Sequence, residues 1–163
     1  EAYLRKGTSK LVNGEAGADT AWSMEGVANS AGRVSAQIDW GAAPRPDEYE
    51  WSCEVQWQAT PTQGAMLELY VAGAPDGDST QIDGDVGSTD AALGDADMRR
   101  NLKGFGAVVS ENAAASEICV ASGRFRFTQR YMSLVGYNAG GATTNATDSN
   151  FRFNIVPIYY QGQ

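Results

Sequence analysis

The sequence contains no histidine. That removes the side chain whose unperturbed pKa lies nearest neutrality and which most often performs general acid–base work. It rules out Ser-His-Asp and Cys-His nucleophile pairs and the usual histidine-bearing zinc sites. Catalysis by carboxylates alone stays open. Positive charge is also scarce: 12 Lys and Arg stand against 20 Asp and Glu, a formal net charge of −8. An acidic balance argues against nucleic acid, whose phosphates need a basic face, and against an anionic membrane surface. No apolar run approaches the ~18 residues that cross a bilayer as a helix. The opening EAYLRKGTSK lacks the apolar core of a signal peptide, which weighs little in a sequence that does not start with methionine. Cysteine is limited to Cys53 and Cys119. Both fall in strand-like runs, where buried thiols are the commoner outcome and a disulfide the alternative.

What the chain does have is period-2 alternation. At 163 residues it reads as one domain, long enough to bury a core without staples, and its 19 glycines suit many turns. From Arg33, the residues Val34, Ala36, Ile38 and Trp40 alternate with Ser35, Gln37 and Asp39. A turn with Pro44 and Pro46 follows. Glu50–Thr60 is the cleanest strand, with Trp51, Cys53, Val55 and Trp57 on one face and Glu50, Ser52, Glu54, Gln56 and Gln58 on the other. Ala65–Ala72 comes next, with Leu67, Leu69 and Val71 inward, and the short gap predicts that the two runs form a hairpin. Strand signals resume at Phe105–Ser110, Glu117–Ala121 and Arg124–Phe127. Two long runs, Arg130–Asn138 and Asn150–Tyr160, end the chain and are expected to close a sheet. About eight strands with no sustained helical period predict an all-β fold, a single-domain antiparallel β-sandwich of the jelly-roll type. Residues 1–20 are expected to form a polar N-terminal arm or edge strand, and residues 21–163 the sandwich domain.

The segment from Gly73 to Asp97 differs in kind. It carries Asp76, Asp78, Asp83, Asp85, Asp90, Asp95 and Asp97 with no Lys or Arg among them. A loop this long inside a compact domain is often a functional excursion or a mobile surface segment. Asp76-Gly-Asp78 and Asp83-Gly-Asp85 place paired carboxylates on glycine turns, a geometry calcium can use, but the EF-hand offsets are not met. The expectation is a solvated acidic loop, with no metal and no cofactor. A short helix is expected within Ala91–Lys103.

Aromatic residues invite a sugar-binding reading. Trp40, Trp51 and Trp57 share faces with aliphatic residues and read as core, which leaves Trp22, Tyr49, Tyr70, Tyr159 and Tyr160 as candidate surface aromatics. Arg124, Arg126, Arg130 and Arg152 alternate with Phe125, Phe127, Tyr131, Phe151 and Phe153. Such interleaving can bind single-stranded nucleic acid, but the acidic total favours aromatics facing in and arginines facing out, toward an acidic protein surface or the acidic loop of a neighbouring copy. Asn145-Ala-Thr147 is a formal glycosylation acceptor, read here as chance.

The C-terminal run carries one resemblance. RYMSLVGYNAGG, the loop TTNATDS and the closing NFRFNIVPIY resemble the end of small β-sandwich virion proteins of tailed bacteriophages. The matching residues are Arg130, Tyr131, Ser133, Val135, Asn138, Ile155, Pro157 and Ile158, about a quarter of the chain. The resemblance implies a capsid decoration or cement protein: a jelly-roll module on the capsid surface of the virion, commonly a homotrimer, with the major capsid protein as partner and no catalytic residues. The residues expected to meet that partner are Arg5, Lys6 and Lys10 of the N-terminal stretch, with Arg124 and Arg126. The alternative is a glycan-binding β-sandwich module or phage receptor-binding domain. A carboxylate enzyme stands third.

Overall fold

Alternating apolar residues can bury only one face of a strand, so two such sheets must meet face to face. The computed structural model describes residues 3–13, 17–77, 81–111, 114, 116–147 and 150–161. Its strands are β1 (Tyr3–Lys6), β2 (Lys10–Asn13), β3 (Thr20–Ala21), β4 (Ala31–Val34), β5 (Ile38–Asp39) and β6 (Glu48–Gln56). They continue as β7 (Met66–Ala74), β8 (Ala91–Ala92), β9 (Lys103–Val109), β10 (Ile118–Arg126), β11 (Tyr131–Ala139) and β12 (Phe151–Gln161). A front sheet runs β10-β6-β12-β2-β3 with β1 also on β12, and a back sheet runs β8-β4-β11-β7-β9 with β5 also on β11.

β1 and β2 share one edge of β12, and β4 and β5 share one edge of β11, so each pair fills a single strand position. Leaving aside the two-residue β3 and β8, each sheet therefore has four positions. The total is the expected eight, but the members differ: the runs Glu117–Ala121 and Arg124–Phe127 join into the single strand β10, and β1 with β2 supplies the remaining position. Successive positions alternate between the sheets except for β7 and β9, which pair directly. That order is a jelly-roll β-sandwich.

Two pairings differ from the sequence reading. β6 lies between β10 and β12, and β7 lies between β11 and β9, so the expected hairpin is instead a crossing from one sheet to the other. Both strands bury one face, and these faces meet in a single core: Trp51, Cys53 and Val55 from the front, Leu67, Leu69 and Val71 from the back. The final pair behaves likewise. β11 is central in the back sheet and β12 central in the front, so the two close different sheets. The stretch read as an arm supplies β1 and β2, antiparallel to β12, with Val12 fully buried.

The run from Arg33 to Trp40 is interrupted between β4 and β5. Ser35 spans the gap: its amide donates to Leu134 O at 2.8 Å, and its hydroxyl accepts from Leu134 N at 2.9 Å. Aromatic rings fill the centre. Trp22 packs edge-on against Phe151 and Phe153 at 5.2 and 5.3 Å, and Trp51 lies parallel to Phe153 at 6.1 Å.

The acidic segment is a third layer. Ile82, Val86, Leu93, Met98 and Leu102 cover Val34, Ala72, Ala74 and Val135 on the outside of the back sheet. Charge fastens this cover. Asp90 accepts from Arg33 Nε at 2.7 Å and from the Ser23 amide at 3.1 Å. Burial opposes the Asp90 charge, but these hydrogen bonds hold its carboxyl below the usual range. Arg99 stacks 3.7 Å from the Tyr137 ring centre and pairs with Glu68 at 3.3 Å. Asp95 caps a 3-10 helix, Ala96–Asn101, within the span where a helix was expected.

Candidate partner-binding face

The back sheet is roofed by this cover, which leaves the outer face of the front sheet as the open one. Alternation decides what it shows. From β10 it presents Ile118, Val120, Ser122, Arg124 and Arg126, while Cys119 and Phe125 between them are buried. From β6 it presents Glu48, Glu50, Ser52, Glu54 and Gln56. Register sets opposite charges side by side: Arg124 faces Glu50, Arg126 faces Glu48, and Arg152 of β12 faces Glu54.

Lys6 reaches over from β1 to form an ion pair with Glu50. The Lys6 hydrogen bond is the main reason that the Glu50 carboxyl titrates below its usual range. Lys6, Glu50, Ser52, Ser122, Arg124 and Asn154 line an open depression of about 370 Å³. Arg126 stands 3.7 Å from Asp47 with both side chains exposed, a contact worth little in water. Ile118 and Val120 are 62% and 58% exposed, an apolar step beside the charges.

Of the five residues expected to meet a partner, Lys6, Arg124 and Arg126 converge on this face. Lys10 sits apart, its Nζ 5.8 Å from the Trp40 ring centre. Arg5 lies in β1 opposite Tyr159, and its side chain is outside the described residues. Ile118, Val120 and Lys103 were missed. The first two carried a signal, since Ile118 and Val120 alternate with Cys119 and Ala121 and only one of those sets can be inside. Lys103 arrives from the neighbouring sheet, which no local pattern reveals.

The candidate surface aromatics are corrected. Trp22 and Tyr49 are fully buried, because the aromatic cluster between the sheets takes both rings. Tyr70 is half-buried beneath the cover, donating to Glu68 Oε2 at 2.6 Å, and Tyr159 is half-buried. The Tyr160 side chain lies outside the described residues. Cys53 and Cys119 are free thiols, both buried. Burial pushes both thiols up, away from the reactive thiolate.

The Asp83 carboxylate accepts from the Gly73 amide at 3.1 Å, a loop-fastening role, and Asp78 of the other pair is outside the described residues. Among the described residues no three acidic or cysteine side chains gather as a metal site would need. The Asn145 amide is engaged locally, donating to Gln56 Oε1 at 3.1 Å and accepting from Thr147 N at 3.0 Å.

Fold and face together define an all-β jelly-roll module with one roofed sheet and one open, mixed-charge sheet. No protein-family model matches the chain, and no curated protein matches it. Among solved structures it is similar to murine APRIL, in crystals at pH 8.0 and at pH 5.0, with 10% identity and a TM-score of 0.40 in each case. The first covers 96% of this chain and 99% of APRIL, and the second 80% and 98%. A TM-score of 0.40 is too low to carry an inference, so the fold rests on the strand order itself.

Proposed function

We propose that this chain is a non-enzymatic virion structural protein that binds the outside of a tailed-bacteriophage capsid and stabilises it. In this reading it acts as a decoration or cement protein, a homotrimer on the major capsid protein. The observation that carries the reading is the open front face. It is a shallow sheet surface of paired opposite charges beside two exposed aliphatic residues, which suits contact with another protein better than enclosure of a small molecule. The burial of Trp22, Tyr49, Trp51 and Trp57 takes those four rings out of reach of a sugar.

The test is immunogold labelling of tailed-phage particles whose genome encodes the chain. Gold over the icosahedral head is the expected result. Gold at the tail tip would replace this reading with receptor binding, and unlabelled particles that lack the protein by mass spectrometry would overturn it.

A further inference from the structure

We infer that the free edge of β10 takes an extended strand of the shell protein, which adds itself to the front sheet. β10 is an end strand, and its register against β6 runs without a break from Ile118 to Arg126. Two hydrogen bonds fix which backbone groups the edge presents. The Phe127 amide donates to Asp47 O at 3.0 Å, so odd-numbered residues turn their amides and carbonyls toward β6. Lys103 Nζ donates to Arg126 O at 2.7 Å from the opposite side, so even-numbered residues turn theirs outward. Among the described residues, the outward amides and carbonyls of Ile118, Val120, Ser122 and Arg124 have no strand beside them. These residues are all exposed. Native edges are commonly blunted by a proline, a bulge or a lysine. β10 has no proline and no bulge, and Lys103 closes only the Arg126 end.

The open end is also the apolar end. Ile118 and Val120 are exposed aliphatic residues whose side chains stand on the front face and whose peptide groups point out of the edge. One added strand covers both, its ladder hydrogen bonds supplying affinity and its alternate side chains packing on Ile118 and Val120. The occupant is therefore an extended segment that is apolar at two alternate positions. It needs no acidic residues, since Arg124 and Arg126 already face Glu50 and Glu48. A second copy offering the same edge would pair about a twofold axis, which a homotrimer lacks. The shell protein instead meets Ile118 and Val120 on the face that adjoins this edge. The choice of occupant rests on the decoration-protein reading, whereas the open edge is read from the fold.

Proline tests the edge selectively. At Val120 or Ser122 it removes an outward amide and leaves the β6 ladder whole, and edge strands accept it. Co-sedimentation reads binding of the full chain to heads stripped of it, taken from the tailed phage whose genome encodes the chain. Val120→Pro and Ser122→Pro should each weaken binding about tenfold or more. Hydrogen exchange of the wild-type chain, read residue by residue, needs no variant. In the free chain the Val120, Ser122 and Arg124 amides should exchange faster than those of Ala121 and Gly123, and on the heads they should slow to match. Folded proline variants that bind like wild type, or edge amides that exchange alike with and without heads, overturn the inference and leave the proposed function standing. Self-association that the prolines abolish, with head binding intact, would give the edge to a second copy and overturn it too. A wild-type chain that does not bind the heads at all overturns the proposed function, and the inference with it.

Discussion

Replacing Asn138 with alanine removes the most heavily bonded side chain of the described core. The Asn138 amide is fully buried. Its Nδ2 donates to Val27 O at 2.9 Å and Ala142 O at 2.8 Å. Its Oδ1 accepts from Trp57 Nε1 at 3.1 Å and Gly140 N at 3.0 Å. Val27 O keeps another donor, the Thr144 amide at 3.0 Å. The damage therefore falls on Trp57 Nε1, Gly140 N and Ala142 O. Each buried group left unpaired costs roughly 1–3 kcal/mol, and water entering the vacated space recovers part, which leaves about 4 kcal/mol. For a domain of this size that lowers Tm by about 12 °C. Urea denaturation followed by tryptophan fluorescence measures the loss. Asn138→Asp sharpens the test, because it keeps the acceptor but turns a second oxygen toward two carbonyls. Its buried carboxyl should titrate high, so this variant gains stability relative to wild type as pH falls and the acid is protonated. An Asn138→Ala protein within 1 kcal/mol of wild type would refute the reasoning.

Gly106→Ala should destabilise by about 2 kcal/mol through overpacking, since its methyl group would lie 2.3 Å from Trp51 Cζ2 in a ring held by Phe105 and Phe153; a thermal melt reads this. Arg99→Ala should loosen the cover alone, speeding amide exchange across residues 81–102 about thirtyfold for a local loss of about 2 kcal/mol, while β6 and β12 stay protected. Asp39 should titrate near pH 2, because Arg130 and then the Gly41 amide hydrogen-bond its carboxylate. Its folded pKa is depressed, so its contribution is complete above about pH 4 and is lost as pH falls through the folded value. Carboxyl NMR should find that midpoint, and Arg130→Ala should move it up toward the ordinary carboxylate value, with the Gly41 amide still holding it somewhat below.

Strand faces were legible because one-sided burial writes a period of 2 into β6, β7, β10 and β12. Pairing was not. Two strands that each hide one face look alike whether they lie side by side or face to face, which is why β6 and β7 read as a hairpin. Trp22 sits outside any alternating run, and only the placement of Phe151 and Phe153 buries it. The cover was hidden by its aspartates. Its true signal was the widely spaced Ile82, Val86, Leu93, Met98 and Leu102, together with a β11 that is apolar on both faces. At the candidate face, alternation exposed Arg124 and Arg126, but bringing Lys6 and Lys103 beside them needed the three-dimensional fold.

The most direct test of the account is single-particle imaging of phage heads from particles whose genome encodes the chain. The account predicts sandwich-shaped density on the outer surface of the shell, with the front sheet against the major capsid protein. Density confined to the tail, or a bare shell in particles that carry the protein, would contradict it.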